Sequence, residues 1–210
     1  MAIIATSNGS KSYTPVEAGN YVARCYSMVH IGTRLENILG TEKELNKVRL
    51  SFELPTELKV FKEEDGEQPY LVSKEYTLSM HEKSTLRKDL ESWRGKAFTE
   101  EEAKSFDITK LLGVPCMLNI IHKQSKSGNP YAVISAISTM PKGLTCDPQI
   151  NPTFEFSVAE FDIQKFAMLP EFLQEAVKES KEYKALQQPN HMEVAGSHGN
   201  EEDDDTGLPF

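Results

Sequence analysis

Enzyme chemistry needs particular residue types at particular spacings, and this chain offers only near-matches. His81-Glu82-Lys83-Ser84-Thr85 begins like H-E-x-x-H, in which two histidines one helical turn apart hold zinc. Position 85 is Thr, so the second ligand is missing. Gly9-Ser10-Lys11-Ser12 lacks the upstream glycine that a phosphate loop needs, and no strand precedes it. Neither G-x-S-x-G nor G-x-G-x-x-G occurs. The histidines at 30, 81, 122, 191 and 198 show no metal-ligand spacing with one another or with cysteine. Cys25 and Cys116 fall inside strand patterns, where a thiol serves as a small core hydrophobe rather than a nucleophile. The chain is therefore not read as an enzyme, and no cofactor or metal site is assigned.

A second set of residues combines cations with flat rings. Arg24, Tyr26 and His30 share one face of a first strand, Lys47 and Arg49 lie on a second, and Lys74 on a third. Lys123 and Lys126 flank a late hairpin and Tyr131 leaves it. Single-stranded nucleic acid needs this pairing: cations follow the phosphates, and rings stack on any base, at about 1–3 kcal/mol per base. The candidate contacts are Arg24, Tyr26, Lys47, Arg49, Lys74, Lys123, Lys126 and Tyr131. Solvated strand faces also carry Lys and Arg in proteins that bind no nucleic acid. Trp93 lies on a helical stripe, where core packing accounts for it.

The third feature is the end of the chain. Glu201-Glu202-Asp203-Asp204-Asp205 is followed by Thr206-Gly207 and then Leu208-Pro209-Phe210. A run of acids alone is a solubilising tail. Apolar residues at the terminus of such a tail have nothing of their own to pack on. They suit a partner's pocket, with Asp203, Asp204, Asp205 and the terminal carboxylate reaching basic residues around it.

These groups must be positioned by regular elements. Tyr21 to Ile31 reads as a strand ended by Gly32, with Ala23, Cys25, Ser27, Val29 and Ile31 on one face and Arg24, Tyr26, Met28 and His30 on the other. Lys47 to Leu54 alternates cleanly, burying Val48, Leu50, Phe52 and Leu54, and Pro55 stops it. Tyr70 to Met80 is a third strand. A helix follows, with Ser84 as N-cap, Leu86, Leu90 and Trp93 as its stripe and Gly95 closing it. Thr99 and Glu102 form a capping box on a second short helix. Val114 to Lys123 and Tyr131 to Thr139 are two more strands, joined through Gln124 to Pro130. The order strand, strand, strand, helix, strand, strand is that of an OB-fold, a five-stranded barrel with a helix between strands 3 and 4.

The remainder divides by composition. Residues 1–15 read as a flexible arm, 16–143 as the OB-fold domain and 144–188 as a linker with an amphipathic helix. That helix begins at Pro170 and carries Phe172, Leu173, Ala176, Val177 and Tyr183 on its apolar side. It either covers an open barrel edge or forms a homo-oligomer contact, and one amphipathic stripe favours the first. Residues 189–210 read as a disordered acidic tail.

Composition bounds the alternatives. The 210 residues are 39% hydrophobic, enough for a packed core, and no stretch approaches the roughly 20 apolar residues of a membrane helix. No secretory signal pattern is present, and three cysteines with no framework spacing fit a reducing cytoplasm. Net charge is −9, which argues against a polyanion partner until its distribution is considered. Residues 1–142 hold 19 basic and 18 acidic residues, a net of +1, and residues 143–210 hold 4 and 14, a net of −10. The body is near neutral and the acid is concentrated at the end.

At this point the residues resemble a family. The acidic run ending in Pro-Phe resembles the C-terminal tail of bacterial single-stranded-DNA-binding proteins, which typically ends in several Asp and then Ile-Pro-Phe. Here Leu208 replaces the Ile, and Thr206-Gly207 separates the acids from it. The body is similar to the OB-fold single-stranded-DNA-binding proteins of phages and prophages. The carriers are Tyr76 to Ser84 with Leu86, Leu90 and Trp93, then Leu112-Gly113-Val114-Pro115-Cys116, Tyr131 to Ile134 through Pro141-Lys142-Gly143, and Leu169-Pro170-Glu171 leading to Ser180 and Tyr183. The similarity covers most of Gly19 to Tyr183. No residue matches a diagnostic base-contact motif, so the contact positions rest on strand faces alone. The resemblance implies a cytoplasmic accessory of replication or recombination, in a bacterial cell or a phage-infected host. It would coat single strands and recruit replication or recombination proteins through the tail.

The expected function is sequence-tolerant binding of single-stranded DNA, with the tail competing for the DNA face. Two rivals stand beside it. One is a protein-interaction module, an adaptor or inhibitor of replication proteins. The other is a single-strand-annealing recombination protein.

Overall fold

The computed structural model describes residues 14–187. Six strands and five helices follow in the order β1 (Gly19–Ile38), β2 (Thr41–Val60), β3 (Glu67–Thr77), α1 (Thr85–Arg94), α2 (Glu100–Lys104), β4 (Pro115–Gln124), β5 (Pro130–Ser138), β6 (Phe154–Ser157), α3 (Ile163–Met168), α4 (Glu171–Lys178) and α5 (Lys181–Gln187). The strands form one sheet in the order β3-β2-β1-β4-β5, antiparallel throughout, with β6 added parallel to β1. β1 is long enough to serve two neighbours on one edge. Gly19 to Arg24 pair with β4, and Ser27 to His30 pair with β6. β3 and β5 approach each other but exchange no ladder hydrogen bonds, so the sheet is open. No helix among the described residues is long and apolar enough to cross a membrane.

The local signals for α1 and α2 are realised. The Ser84 hydroxyl accepts from the Arg87 N–H, and Thr99 and Glu102 close a reciprocal capping box. Leu86, Leu90 and Trp93 are buried, each stabilising the fold by up to about 1.5–3 kcal/mol. They meet Val48, Leu50, Phe52 and Leu54, whose alternation on β2 holds as expected. The Trp93 ring lies 5.5 Å from that of Phe52, and its indole N–H donates to the Pro115 carbonyl at 3.0 Å.

Five expectations are corrected. First, the strands run further. β1 continues through Gly32, and β2 passes the buried Pro55 because a register shift between Leu54 and Leu58 absorbs it. Second, a bulge between Cys25 and Ser27 breaks the alternation of β1. Ala23, Cys25 and Met28 face the main core, whereas Val29 and Ile31 face the opposite side. Third, β6 is a sixth strand inside the segment expected to be linker and helix. Fourth, the single C-terminal helix is two. The buried Ser180 hydroxyl donates to the Val177 carbonyl and accepts from the Tyr183 N–H, ending α4 and starting α5. Fifth, Phe172 is not on the buried stripe but 54% exposed.

The opposite side of the sheet is a second core. Val29, Ile31, Phe156, Val158, Phe166, Leu169, Leu173 and Val177 pack there beneath α3, α4 and α5. Both faces of β1 around Val29 and Ile31 are thus covered, which an alternating strand read alone does not announce. Gly32 sits where this cover comes closest. Its φ is +100°, and a Cβ there would meet Glu182 Oε2 at 2.6 Å and Val158 Cγ1 at 2.8 Å.

Candidate nucleic-acid interface

The candidate cations divide into those already engaged and those free. Arg24 belongs to the first group. Its guanidinium donates to the carbonyls of Asp147 at 2.7 Å, Gly113 at 2.8 Å and Cys146 at 3.2 Å. It ties the chain after β5 to the loop before β4. Lys47 is almost covered and pairs with Glu36 at 3.0 Å and Glu75 at 3.9 Å. Lys74 pairs with Asp89 at 2.7 Å, and the same carboxylate oxygen accepts from the Tyr76 hydroxyl at 2.8 Å. Burial, with Asp89 adding to it, raises the Tyr76 pKa, so this phenol stays protonated. His30 hydrogen-bonds Ser157 and Asn46.

At Glu53 the outer face of β2 is closed by the chain between β5 and β6. This residue is fully buried, and its carboxylate accepts from the Ile150 N–H at 2.7 Å, the Asn151 N–H at 2.8 Å and the Asn151 side chain at 2.7 Å. A buried carboxylate needs such donors, and the chain between β5 and β6 supplies them.

Two of the candidate cations without an ion pair among the described residues, Lys123 and Lys126, lie on the β4–β5 hairpin. Lys123 and Tyr131 are direct cross-strand partners, so both side chains stand on one face. Ile121 and Val133, two positions along, share that face. It points away from the core, which takes Ile120 and Ile134. Tyr131 is 45% exposed, and neither Lys123 nor Lys126 makes an ion pair among the described residues. The turn holds its shape through hydrogen bonds from the Ser125 N–H to the Asn129 carbonyl and from the Gly128 N–H to the Ser125 carbonyl, both 2.9 Å. One signal for this surface was missed in the sequence. No acid lies between Asp107 and Asp147, whereas Lys110, Lys123, Lys126 and Lys142 do, in a chain whose net charge is −9.

Tyr26 and Arg49 form a separate pair, also on the side of the sheet away from the main core but over β1 and β2. The bulge turns Tyr26 to the same cavity as Ser27, and Arg49 lies 5.3 Å from the centre of the Phe172 ring. Burial pulls the Arg49 pKa down, with Glu75 across the ladder opposing, and burial with Glu53 nearby raises that of Tyr26. The structure therefore brings together Lys123, Lys126 and Tyr131, and separately Tyr26 and Arg49, but leaves Arg24, Lys47 and Lys74 in internal contacts. Asp203, Asp204, Asp205, Leu208, Pro209 and Phe210 lie outside the described residues.

The remaining chemistry is sparse. Among the described residues no group of three His, Cys, Asp or Glu could hold a metal ion. Burial pushes the Cys25 thiol up to about 12 and the Cys116 thiol well above its usual range. A cleft of about 490 Å³ beside Met28 and Phe106 carries Lys104 and Lys165 against Asp107, Glu155 and Glu160, so its charge favours neither sign of ligand. Comparison of the chain with protein-family models, curated proteins and solved structures returns no match.

Proposed function

We propose that the protein binds single-stranded DNA without strong sequence preference, through the outer face of the β4–β5 hairpin. The observation that carries this reading is the Lys123–Tyr131 pair: a cation with no ion partner among the described residues beside an exposed ring, with Lys126 at the turn and no acid in the surrounding sequence. A base stacks on Tyr131 while neighbouring phosphates meet the two lysines. The acidic tail recruits replication or recombination proteins and competes with DNA for the hairpin, since both ends of that competition belong to one chain at high effective concentration.

The fold reading that accompanies it is an open version of the five-stranded OB barrel. The strand order β3-β2-β1-β4-β5 and the placement of α1 against β3 and β5 support it. The C-terminal helices then cover a barrel face rather than join two subunits, supported by Leu173 and Val177 being buried within one chain.

The test is a salt series with oligo-dT for wild type and Lys123→Ala/Lys126→Ala. The slope of log affinity on log salt falls by about 0.7 for each lost phosphate contact. An unchanged slope overturns the hairpin as the interface. One observation favours the rival protein-interaction reading. At the tip of the β1–β2 hairpin Leu39 is fully exposed at φ 51°, with Leu35 60% exposed. Strong partner capture that survives charge reversal at Lys123 and Lys126, with no oligo-dT binding, selects that rival.

A further inference from the structure

The cavity shared by Tyr26 and Arg49 has the features of a built ligand site. Its volume is about 440 Å³, within the range of small-molecule pockets. Its floor is a row of three serines on adjacent strands: Ser27 pairs with Ser51, and Ser51 with Ser73. Small residues there leave the space that larger side chains would fill. Ser73 donates to the Ser51 oxygen at 2.9 Å, which leaves the Ser51 proton to point elsewhere. Neither the Ser27 hydroxyl nor the Tyr26 hydroxyl has a hydrogen-bond partner among the described residues.

Pleat alternation would send Tyr26 and Ser27 to opposite faces. The bulge between Cys25 and Ser27 sets both on the cavity, a re-aiming that bulges perform beside functional sites. The walls are flat or apolar, with Phe154 and Phe172 among them. Arg49 lines the same space. It makes no ion pair or hydrogen bond among the described residues, and the Phe172 ring holds one side of its guanidinium. Among the described residues the carboxylates acting on this pair are Glu75, across the ladder from Arg49, and the buried Glu53, whose oxygens are occupied.

We infer that this cavity binds a nucleoside monophosphate unit, the base lying against the aromatic walls with its edge on the serine row and the phosphate on Arg49. A planar ring fits the walls, an edge of alternating donors and acceptors fits hydroxyls that can do both, and a phosphate fits an unpaired guanidinium. The unit has two sources, a free nucleotide or a nucleotide within a strand. The inference goes beyond the hairpin reading, since the two sites use different residues on different strands.

The test titrates the full-length protein calorimetrically with dTMP, dGMP, thymidine and inorganic phosphate, and repeats dTMP with Arg49→Gln and with the surface variant Phe172→Ala. Circular dichroism and melting establish that each variant folds. Saturable mononucleotide binding is expected, weaker for thymidine and for phosphate alone, and reduced roughly tenfold or more by Arg49→Gln. Phe172→Ala weakens it too, which keeps the inference testable if the arginine variant does not fold. Competition by 5′-phosphorylated oligo-dT alone assigns the ligand to a strand end. Competition also by the dephosphorylated oligomer assigns it to the strand interior, and competition by neither assigns it to the free nucleotide. No saturable binding, phosphate binding as tight as dTMP, or a folded Arg49→Gln equal to wild type overturns the inference. Oligo-dT binding that persists in that case leaves the hairpin reading standing.

Discussion

Tyr131 stands directly across the β4–β5 ladder from Lys123, ring and ammonium on one outward face. The pair unites the two things a single strand needs. If stacking is the ring's role, Tyr131→Phe binds oligo-dT like wild type, and Tyr131→Ala loses about 1–3 kcal/mol. Fluorescence anisotropy at fixed salt distinguishes them. Equal losses in both variants would assign the role to the hydroxyl instead.

Glu53 is expected to matter for stability rather than binding. Glu53→Gln replaces an acceptor oxygen with a donor facing the Ile150 or Asn151 N–H groups. Urea denaturation should show a loss on the order of 2–3 kcal/mol, the cost of leaving buried donors unmet. A loss below about 0.5 kcal/mol, the scale of an ordinary surface change, would show that the loop holds without its carboxylate.

Gly32 tests the second core. Gly32→Ala places a methyl within 2.8 Å of Ser180 Cβ and Val158 Cγ1 at a φ that L-residues avoid. It should destabilise by more than about 1 kcal/mol and loosen α5, whose Glu182 accepts from the Thr33 N–H and hydroxyl at 2.7 Å. Hydrogen exchange should then rise at Thr33 and across residues 181–187 while α1 stays protected. Unchanged exchange would contradict the tight approach.

Much of this was legible in the sequence because the signals are local. Ser84, Thr99 and Glu102 declare helix starts through hydrogen bonds within a few residues. Val48 to Leu54 declares a buried face by period two. The turn around Gly128 declares a hairpin. What could not be read depends on distant partners. The bulge at Tyr26 reassigns the faces of β1 because β2 offers one residue where β1 has two. Glu53 alternates with the buried residues of β2, and the donors that bury it are roughly a hundred positions away. Arg24 and Lys74 were indistinguishable from free cations until the carbonyls of Gly113 and Asp147, and the carboxylate of Asp89, were placed beside them.

Acid should weaken the α1–α2 corner. The Thr99 N–H, then Arg94, hold Glu102 down to about 2, and the Phe98 N–H, then Arg87, hold Glu91 below the usual range. A depressed folded pKa gives stabilisation that is complete above the unfolded value of about 4.3 and is lost as pH falls towards the folded one. The melting-temperature difference between wild type and Glu102→Gln should therefore shrink from pH 7 to pH 2.5. A difference constant over that range would contradict the capping role of the carboxylate.

The most direct measurement is a titration of oligo-dT and duplex DNA, at low and moderate salt, into the full chain and a chain lacking residues 201–210. Tight oligo-dT binding, weak duplex binding, loss of affinity with salt and a gain on removing the tail are expected together. No binding of oligo-dT by either chain at low salt would contradict single-strand recognition outright.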